Sequence, residues 1–355
     1  MTNGSHAQRK LDHLRICGEQ DVSSRSITTG LERYRLIHCA LPELDLADIS
    51  LATQFLGRQL SAPLLISAIT GGTSEARAVN LNLATAAQTL GLAMSVGSQR
   101  AAIENPDQAV TYQVRSVAPD VLLFANLGAV QLNYGYGLAE CRRAVDMIGA
   151  DALVLHLNPL QEALQPGGNT NFVGLKDRIR AVCQGLAVPV IIKEVGWGLS
   201  ETVARQLATT GVAALDVAGA GGTSWSEVEK HRAESELEQQ VAAHFGCWGI
   251  STAEAILQAR RGSPDLPLIA SGGIRTGPEA AVALALGADL IGLAGPLVRP
   301  AGVSAAAVEA KLSIVIEGLR IAMFAAGIRD IRSLRAASLQ KTEHSDDAGS
   351  EDRGP

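Results

Sequence analysis

A chain of 355 residues, 47% of them hydrophobic and only 3% aromatic, is long enough for one large α/β barrel or two ordinary domains. A formal net charge of -6 excludes the basic face of a general nucleic-acid binder, yet a few local Arg, Lys and backbone N–H groups could still hold one phosphate. Cys17, Cys39, Cys141, Cys183 and Cys247 show neither a CxxC pair nor metal-ligand spacing and read as reduced thiols of a cytoplasmic protein.

Residues 1–62 precede the first strand signal. Met1 to Lys10 is polar and lacks an apolar h-region, so no signal peptide is expected. No apolar stretch approaches the roughly 20 residues of a membrane span, so no membrane partner is expected either. Arg9-Lys10-x-x-His13 is a compact basic cluster that spacing alone reads as a solvated arm. This N-terminal extension is expected either to cover a barrel's bottom or to reach back over its mouth.

From Pro63 a unit recurs: a short β-branched or apolar run, a polar or Gly-rich turn, then a helical pattern. Strands are expected at Leu64–Ala68, Ala93–Val96, Val121–Ala125, Ala152–Leu157, Val188–Lys193, Ala214–Val217, Leu268–Ala270 and Leu290–Leu293. Leu81–Leu90, Thr202–Thr209 and Glu279–Leu286 carry apolar residues at i, i+3, i+4 helical spacing. Gly91, Gly149, Gly211 and Gly287 stand between helix and strand, where a residue of positive φ closes a helix. Strands alternating with helices imply parallel pairing through right-handed crossovers. The fold class is therefore α/β, a (β/α)8 TIM barrel over residues 63–339. A doubly wound open sheet is the alternative, but its GxGxxG turn after the first strand is missing. Residues 223–250 form a long loop after the sixth strand, rich in charge yet holding Trp225 and Trp248, and could act as a lid. Residues 340–355 are acidic and polar and are expected to be a disordered tail.

The residues that follow the strands are polar or amide-rich at every position. They are Thr70-Gly71-Gly72-Thr73, Gly97-Ser98-Gln99-Arg100, Asn126, His156-Leu157-Asn158-Pro159-Leu160-Gln161-Glu162, Lys193-Glu194, Gly219-Ala220-Gly221-Gly222-Thr223, Ser271-Gly272-Gly273-Ile274-Arg275 and Ala294-Gly295. Polar groups directly after buried strands are costly unless they bind something. The turns after the seventh and eighth strands suit a phosphate: glycine has no Cβ to hold an anion off, and Arg275 adds a charged donor. His156, Asn158, Gln161 and Glu162 form a second polar cluster, in which Glu162 could bind Mg2+ together with substrate oxygens. No HxH or HExxH spacing indicates a transition metal.

In this order the motifs resemble the type 2 isopentenyl-diphosphate isomerases, from Arg9-Lys10 to about Leu297. The resemblance rests on Arg-Lys-x-x-His at 9–13, Thr-Gly-Gly at 70–72, Gly-Ser-Gln-Arg at 97–100, His-x-Asn-x-x-Gln-Glu at 156–162 and Lys-Glu-Val-Gly at 193–196. Gly-Gly-Thr-Ser-Trp at 221–225, Ser-Gly-Gly-Ile-Arg at 271–275 and Ala-Gly at 294–295 complete it. It implies an FMN-dependent enzyme interconverting isopentenyl and dimethylallyl diphosphate, with Mg2+ and with NADPH or NADH as reductant. It implies FMN contacts from Ala68, Ile69, Thr70, Ser98, Asn126, Lys193 and Thr223, and phosphate contacts from Gly272, Gly273, Arg275, Ala294 and Gly295. The diphosphate would meet Arg9, Lys10, Ser98, Gln99, Arg100, His156, Asn158 and Gln161, with Glu162 on the metal. His13 would support the N-terminal arm. Lys193, His156 and Gln161 form the implied catalytic set, Lys193 lying near the N1–O2 edge of a reduced flavin that itself acts as acid and base. A homo-oligomer, tetramer or octamer, is expected. Ile69 stands where many members have Met, and Ala218 where many have Ser; the second change removes one possible flavin hydrogen bond.

Overall fold

A computed structural model describes residues 6–342. In the N-terminal extension lie a helix, His6–Glu19, and three short strands, β1 (Tyr34–Leu36), β2 (Thr53–Phe55) and β3 (Arg58–Leu60). Eight strands then follow: β4 (Leu64–Ile66), β5 (Ala93–Ser95), β6 (Leu122–Gly128), β7 (Ala152–Leu157), β8 (Val190–Glu194), β9 (Ala214–Asp216), β10 (Leu268–Ser271) and β11 (Leu290–Leu293). Each pairs in parallel with the next, and β11 closes on β4. All eight expected strands are present, with ends displaced by a few residues at most. Helices Ser74–Leu90, Glu201–Ala208 and Gly277–Ala285 sit where the apolar spacing placed them. Gly91 and Gly149 end their helices at φ 64° and 59°, the left-handed geometry expected there.

Packing follows the two-residue period of a strand. Leu65, Ala93, Phe124, Val154, Ile191, Ala214, Ile269 and Leu290 form one buried cluster inside the barrel. Their neighbours, among them Leu64, Ile66, Met94, Leu123, Leu153, Ile192, Leu215, Ala270 and Ile291, pack outward against the helices. Each such Leu or Ile contributes roughly 1.5–3 kcal/mol by leaving water. The β2–β3 hairpin plugs the bottom with Phe55 and Leu60; the Phe55 and Phe124 ring centroids are 6.4 Å apart. The N-terminal helix lies at the opposite end, packed on helix Trp225–Arg232.

Two expectations change. The long loop after the sixth barrel strand is built around two helices, Trp225–Arg232 and Glu236–Ala243. The tail does not begin at 340: β12 (Leu339–Lys341) pairs antiparallel with β1, with Tyr34 opposite Lys341 and Leu36 opposite Leu339. A ladder is made by backbone groups, so the polar composition of this stretch did not report it. Residues 343–355 of the expected tail lie outside the described residues.

Candidate active site

Two residues beyond the inward apolar layer, the strands present Ser67, Ser95, Asn126, His156, Lys193, Asp216, Ser271 and Gly292. Alternation carries these to the barrel's interior at its C-terminal end. Seven of the eight are polar, against an all-apolar layer beneath. Six of them, all but Ser95 and Asp216, line a cavity of about 660 Å³, a volume typical of small-ligand sites.

This floor is internally bonded. Nδ1 of His156 lies 2.9 Å from Oδ1 of Asn126. Burial, then Lys10 and Lys193, push the imidazole down to about 3, so it is neutral near pH 7. Lys193 Nζ lies 2.8 Å from Oδ2 of Asp216 and donates to Ser271 Oγ at 3.1 Å. Ser67 Oγ, although buried, has no partner.

One wall is the turn after β10. At Gly272 (φ 104°) a Cβ would lie 2.0 Å from the Gly219 carbonyl oxygen, and at Gly273 (φ 74°) 2.5 Å from that of Gly221. At Gly295 the nearest atom to such a Cβ would be Thr223 Oγ1, at 3.6 Å. The absent side chain there leaves backbone bare toward the cavity, which Arg275, Ala294 and Gly295 also line.

A second cation cluster lies where the N-terminal helix meets the loop after β5, three strands round the barrel from β10. From the N-terminal helix, Lys10 Nζ donates to the Ser98 carbonyl at 2.9 Å, which also accepts from Tyr112 Oη at 2.7 Å. Arg9 donates to Gln165 Oε1 at 3.4 Å. Arg100 pairs with Glu104 at 2.7 Å while lining the cavity. Burial, then neighbouring Arg9, push the Lys10 ammonium down to about 7. His13 bonds Glu229 at 3.2 Å and meets the Trp225 ring edge-on, centroids 5.0 Å apart. The arm thus closes over its own chain's mouth.

Asn158, Gln161 and Glu162 stand at the start of the short helix Pro159–Leu164. Asn158 donates to Glu162 Oε1 at 3.0 Å, and Gln165 and the Asn169 N–H donate to Oε2 at 2.6 Å each. Three of the carboxylate's roughly four lone-pair sites are filled, leaving room on Oε1 for one cation. Among the described residues no group of three or more His, Cys, Asp and Glu could hold a metal. A Mg2+ on Glu162 would therefore need oxygens from its ligand or water, as that ion commonly does.

Of the expected residues, Gln99 is misplaced. Its side chain is absent from the cavity lining and spans two backbone groups, donating to the Ala144 carbonyl at 2.8 Å and accepting from Asn126 N–H at 2.9 Å. A Gln after a strand end can turn outward into the helix layer, and one residue of offset decides which. The other expected residues all line the cavity: Arg9, Lys10, Ala68, Ile69, Thr70, Ser98, Arg100, Asn126, His156, Asn158, Gln161, Glu162, Lys193, Thr223, Gly272, Gly273, Arg275, Ala294 and Gly295. Motif reading missed Ser67 and Asp216 and gave Ser271 no contact of its own; counting two residues on from each inward apolar side chain would have found all three. It also missed Glu229, a buried carboxylate held by His13, by Arg232 at 2.6 Å and by Gln161 at 3.3 Å. Arg232 is a neighbour three residues on, but His13 and Gln161 come from distant parts of the chain, so no local pattern marks the whole group.

The residues present fit FMN. An unpartnered Ser67 hydroxyl, a glycine turn beside Arg275 and a lysine on the floor suit a flat polar ring bearing a phosphate.

A sequence profile of the family described as FMN-dependent dehydrogenase matches residues 5–115 and 166–341. A protein of Synechococcus sp. named isopentenyl-diphosphate delta-isomerase is 56% identical over 92% of this chain and 94% of its own. One of that name from Nostoc sp. is 52% identical over 94% and 96%. Among solved structures, a mandelate oxidase variant superposes with a TM-score of 0.65 at 18% identity, covering 95% of this chain and 99% of its own. A putative lactate oxidase of Pediococcus acidilactici gives 0.64 at 16% identity, covering 95% and 94%. At that identity the likeness is one of fold.

Proposed function

The chain belongs to the FMN-dependent dehydrogenase family and, within it, to the isopentenyl-diphosphate delta-isomerases, and from that premise we propose that it interconverts isopentenyl and dimethylallyl diphosphate with bound FMN, with Mg2+ on the diphosphate and NADPH or NADH as reductant. The observation that supports the reading is one cavity lined by two separate groups suited to anions, one after β10 and β11 and the other at the N-terminal helix and the loop after β5. Gly272, Gly273, Arg275, Ala294 and Gly295 would hold the cofactor's phosphate; Arg9, Lys10, Ser98 and Arg100 would hold the diphosphate.

Moving the double bond adds a proton at one carbon and removes one from another. Reduced FMN, when bound, supplies that acid and base chemistry without net redox change. The chain's own residues position and shield. Lys193 places positive charge on the floor, suited to a negatively charged flavin ring. His156, neutral and bonded through Nδ1 to Asn126, leaves Nε2 as an acceptor toward the cavity. Gln161, tied to Asn158 and Glu229, lines the same space. Trp225 and Ile69 offer an apolar surface for the prenyl chain, and the N-terminal helix keeps bulk water from the mouth. Glu162 would hold Mg2+ through Oε1.

The fold likeness to mandelate oxidase raises a second reading, a 2-hydroxy-acid oxidase. That chemistry needs a His base beside an Arg after the sixth barrel strand, where this chain has Gly221-Gly222-Thr223-Ser224-Trp225. We also propose a cytoplasmic homo-oligomer. No described helix is long and apolar enough to cross a membrane, and the exposed Ile314 and Ile321 on one long helix suit a subunit contact.

Purified protein should be yellow, with flavin absorption, and should isomerise isopentenyl diphosphate anaerobically once reduced in the presence of Mg2+. Consumption of a hydroxy acid with oxygen, and no isomerisation, would favour the oxidase.

A further inference from the structure

Lys193 is not a bare cation on the cavity floor. Its Nζ sits between Asp216 Oδ2 at 2.8 Å and Ser271 Oγ at 3.1 Å, and Ser271 in turn donates to Asp216 Oδ1 at 2.6 Å. The three side chains come from consecutive strands, β8, β9 and β10, with Lys193 and Asp216 directly opposite in register. The Asp216 side chain is 2% exposed and that of Lys193 13%. Such a carboxylate would be costly without its cation, and the lysine stem would wander without an anchor. Asp216 does not line the cavity, whereas Lys193 does.

We propose that Asp216 is the counter-ion of Lys193, a positioning residue that fixes the ammonium and offsets part of its charge, so that the floor offers a bound flavin a dipole. This rests on the reading that the cavity holds FMN. A reduced flavin carries negative charge, and a lone buried cation beneath it would stabilise the reduced form more strongly than a balanced pair does. Asp216 lies behind Lys193, so its effect opposes that of the lysine and is smaller. Ser271 accepts from one partner and donates to the other, keeping the pair hydrogen-bonded on the cavity side.

The measurement is the midpoint potential of bound FMN at pH 6, with flavin affinity followed by fluorescence. Asp216→Asn keeps an acceptor for Ser271 and for the Ala218 N–H, which now donates to Oδ1 at 3.3 Å. It should raise the reduced-to-oxidised ratio at fixed poise about tenfold, a positive shift of about 30 mV for a two-electron couple. Lys193→Met should shift the potential negative by more, and the double variant should fall between the two. FMN affinity should change only a few-fold in Asp216→Asn. An unchanged or more negative potential in Asp216→Asn would overturn the counter-ion. Asp216→Ser repeats the test should the amide disturb the turn; if neither variant folds with flavin, Asp216 is a structural residue and the inference fails. Wild-type protein that takes up no FMN would instead overturn the functional reading, and the inference with it.

Discussion

His156 and Asn126 meet across neighbouring strands on the cavity floor, Nδ1 to Oδ1 at 2.9 Å, within the field of Lys10 and Lys193. Burial and those lysines push the imidazole to about 3. Between pH 5 and 8 it should carry no charge, and no limb of the rate profile in that range belongs to it. His156→Asn should lower the rate but keep both limbs where the wild type has them; a limb that disappears would show His156 titrating. Stability has the matching sign. The unfolded chain binds the extra proton between about pH 3 and 6.5, so folding weakens as pH falls through that window. Urea midpoints of His156→Asn should depend less on pH there.

Lys10 is the opposite case in its ligand response. Its pKa near 7 means that a diphosphate arriving at pH 8 meets a mostly neutral amine and must draw a proton onto it. Calorimetry in buffers of different ionisation enthalpy should register uptake approaching one proton per ligand, and Lys10→Met should abolish it. Affinity in that variant should fall by roughly 10- to 100-fold, the scale of a charge-assisted bond. Uptake that survives the substitution would place the proton elsewhere. Without ligand, stability should rise as pH climbs from about 7 toward 10.5, where the folded protein holds fewer protons than the unfolded chain.

What the sequence made legible divides by range of interaction. All eight barrel strands were readable because each is a short apolar run bounded by polar, Pro or Gly turn residues, a local signal. The cavity residues on Ser-Gly-Gly-Ile-Arg and His-x-Asn-x-x-Gln-Glu were readable for the same reason. Asp216 was hidden as one acidic residue inside an apolar strand; only the barrel, by setting Lys193 and Ser271 on either side, gives it partners. Glu229 was hidden because His13 is 216 residues away in sequence. Gln99 was carried in with the Gly-Ser-Gln-Arg motif, whose Ser98 and Arg100 line the cavity while the Gln99 side chain turns to backbone groups behind it. The strand Leu339–Lys341 escaped composition because its backbone, pairing with β1, holds it.

Glu162 has a binding role and a local one, and a single substitution should separate them. Glu162→Gln keeps the shape but puts an amide against donors from Asn158, Gln165 or the Asn169 N–H. Diphosphate binding in the presence of Mg2+ should weaken about tenfold or more, the scale of a lost bond to a charged group. The metal-independent part should change little. FMN absorption of the purified variant should match the wild type; loss of flavin would move Glu162 out of the metal role.

Gly272 tests whether the turn after β10 is fixed by the fold. Its φ of 104° is already unfavourable for any residue with a Cβ, and that Cβ would stand 2.0 Å from the Gly219 carbonyl oxygen. Neither side can retreat easily. Thr252 Oγ1 holds the Gly272 carbonyl at 2.6 Å, and the Gly219 N–H is bonded to the Ser271 carbonyl at 2.9 Å. Gly272→Ala should therefore cost about 3 kcal/mol or more, seen as a fall in Tm of about 5 °C or more. The same displacement would move the backbone N–H groups proposed to hold the cofactor's phosphate. Affinity for FMN should therefore drop more than affinity for riboflavin, which lacks the phosphate. Equal losses for both flavins would mean that the turn supports the ring rather than the anion, and an unchanged Tm would mean that Gly219 gives way.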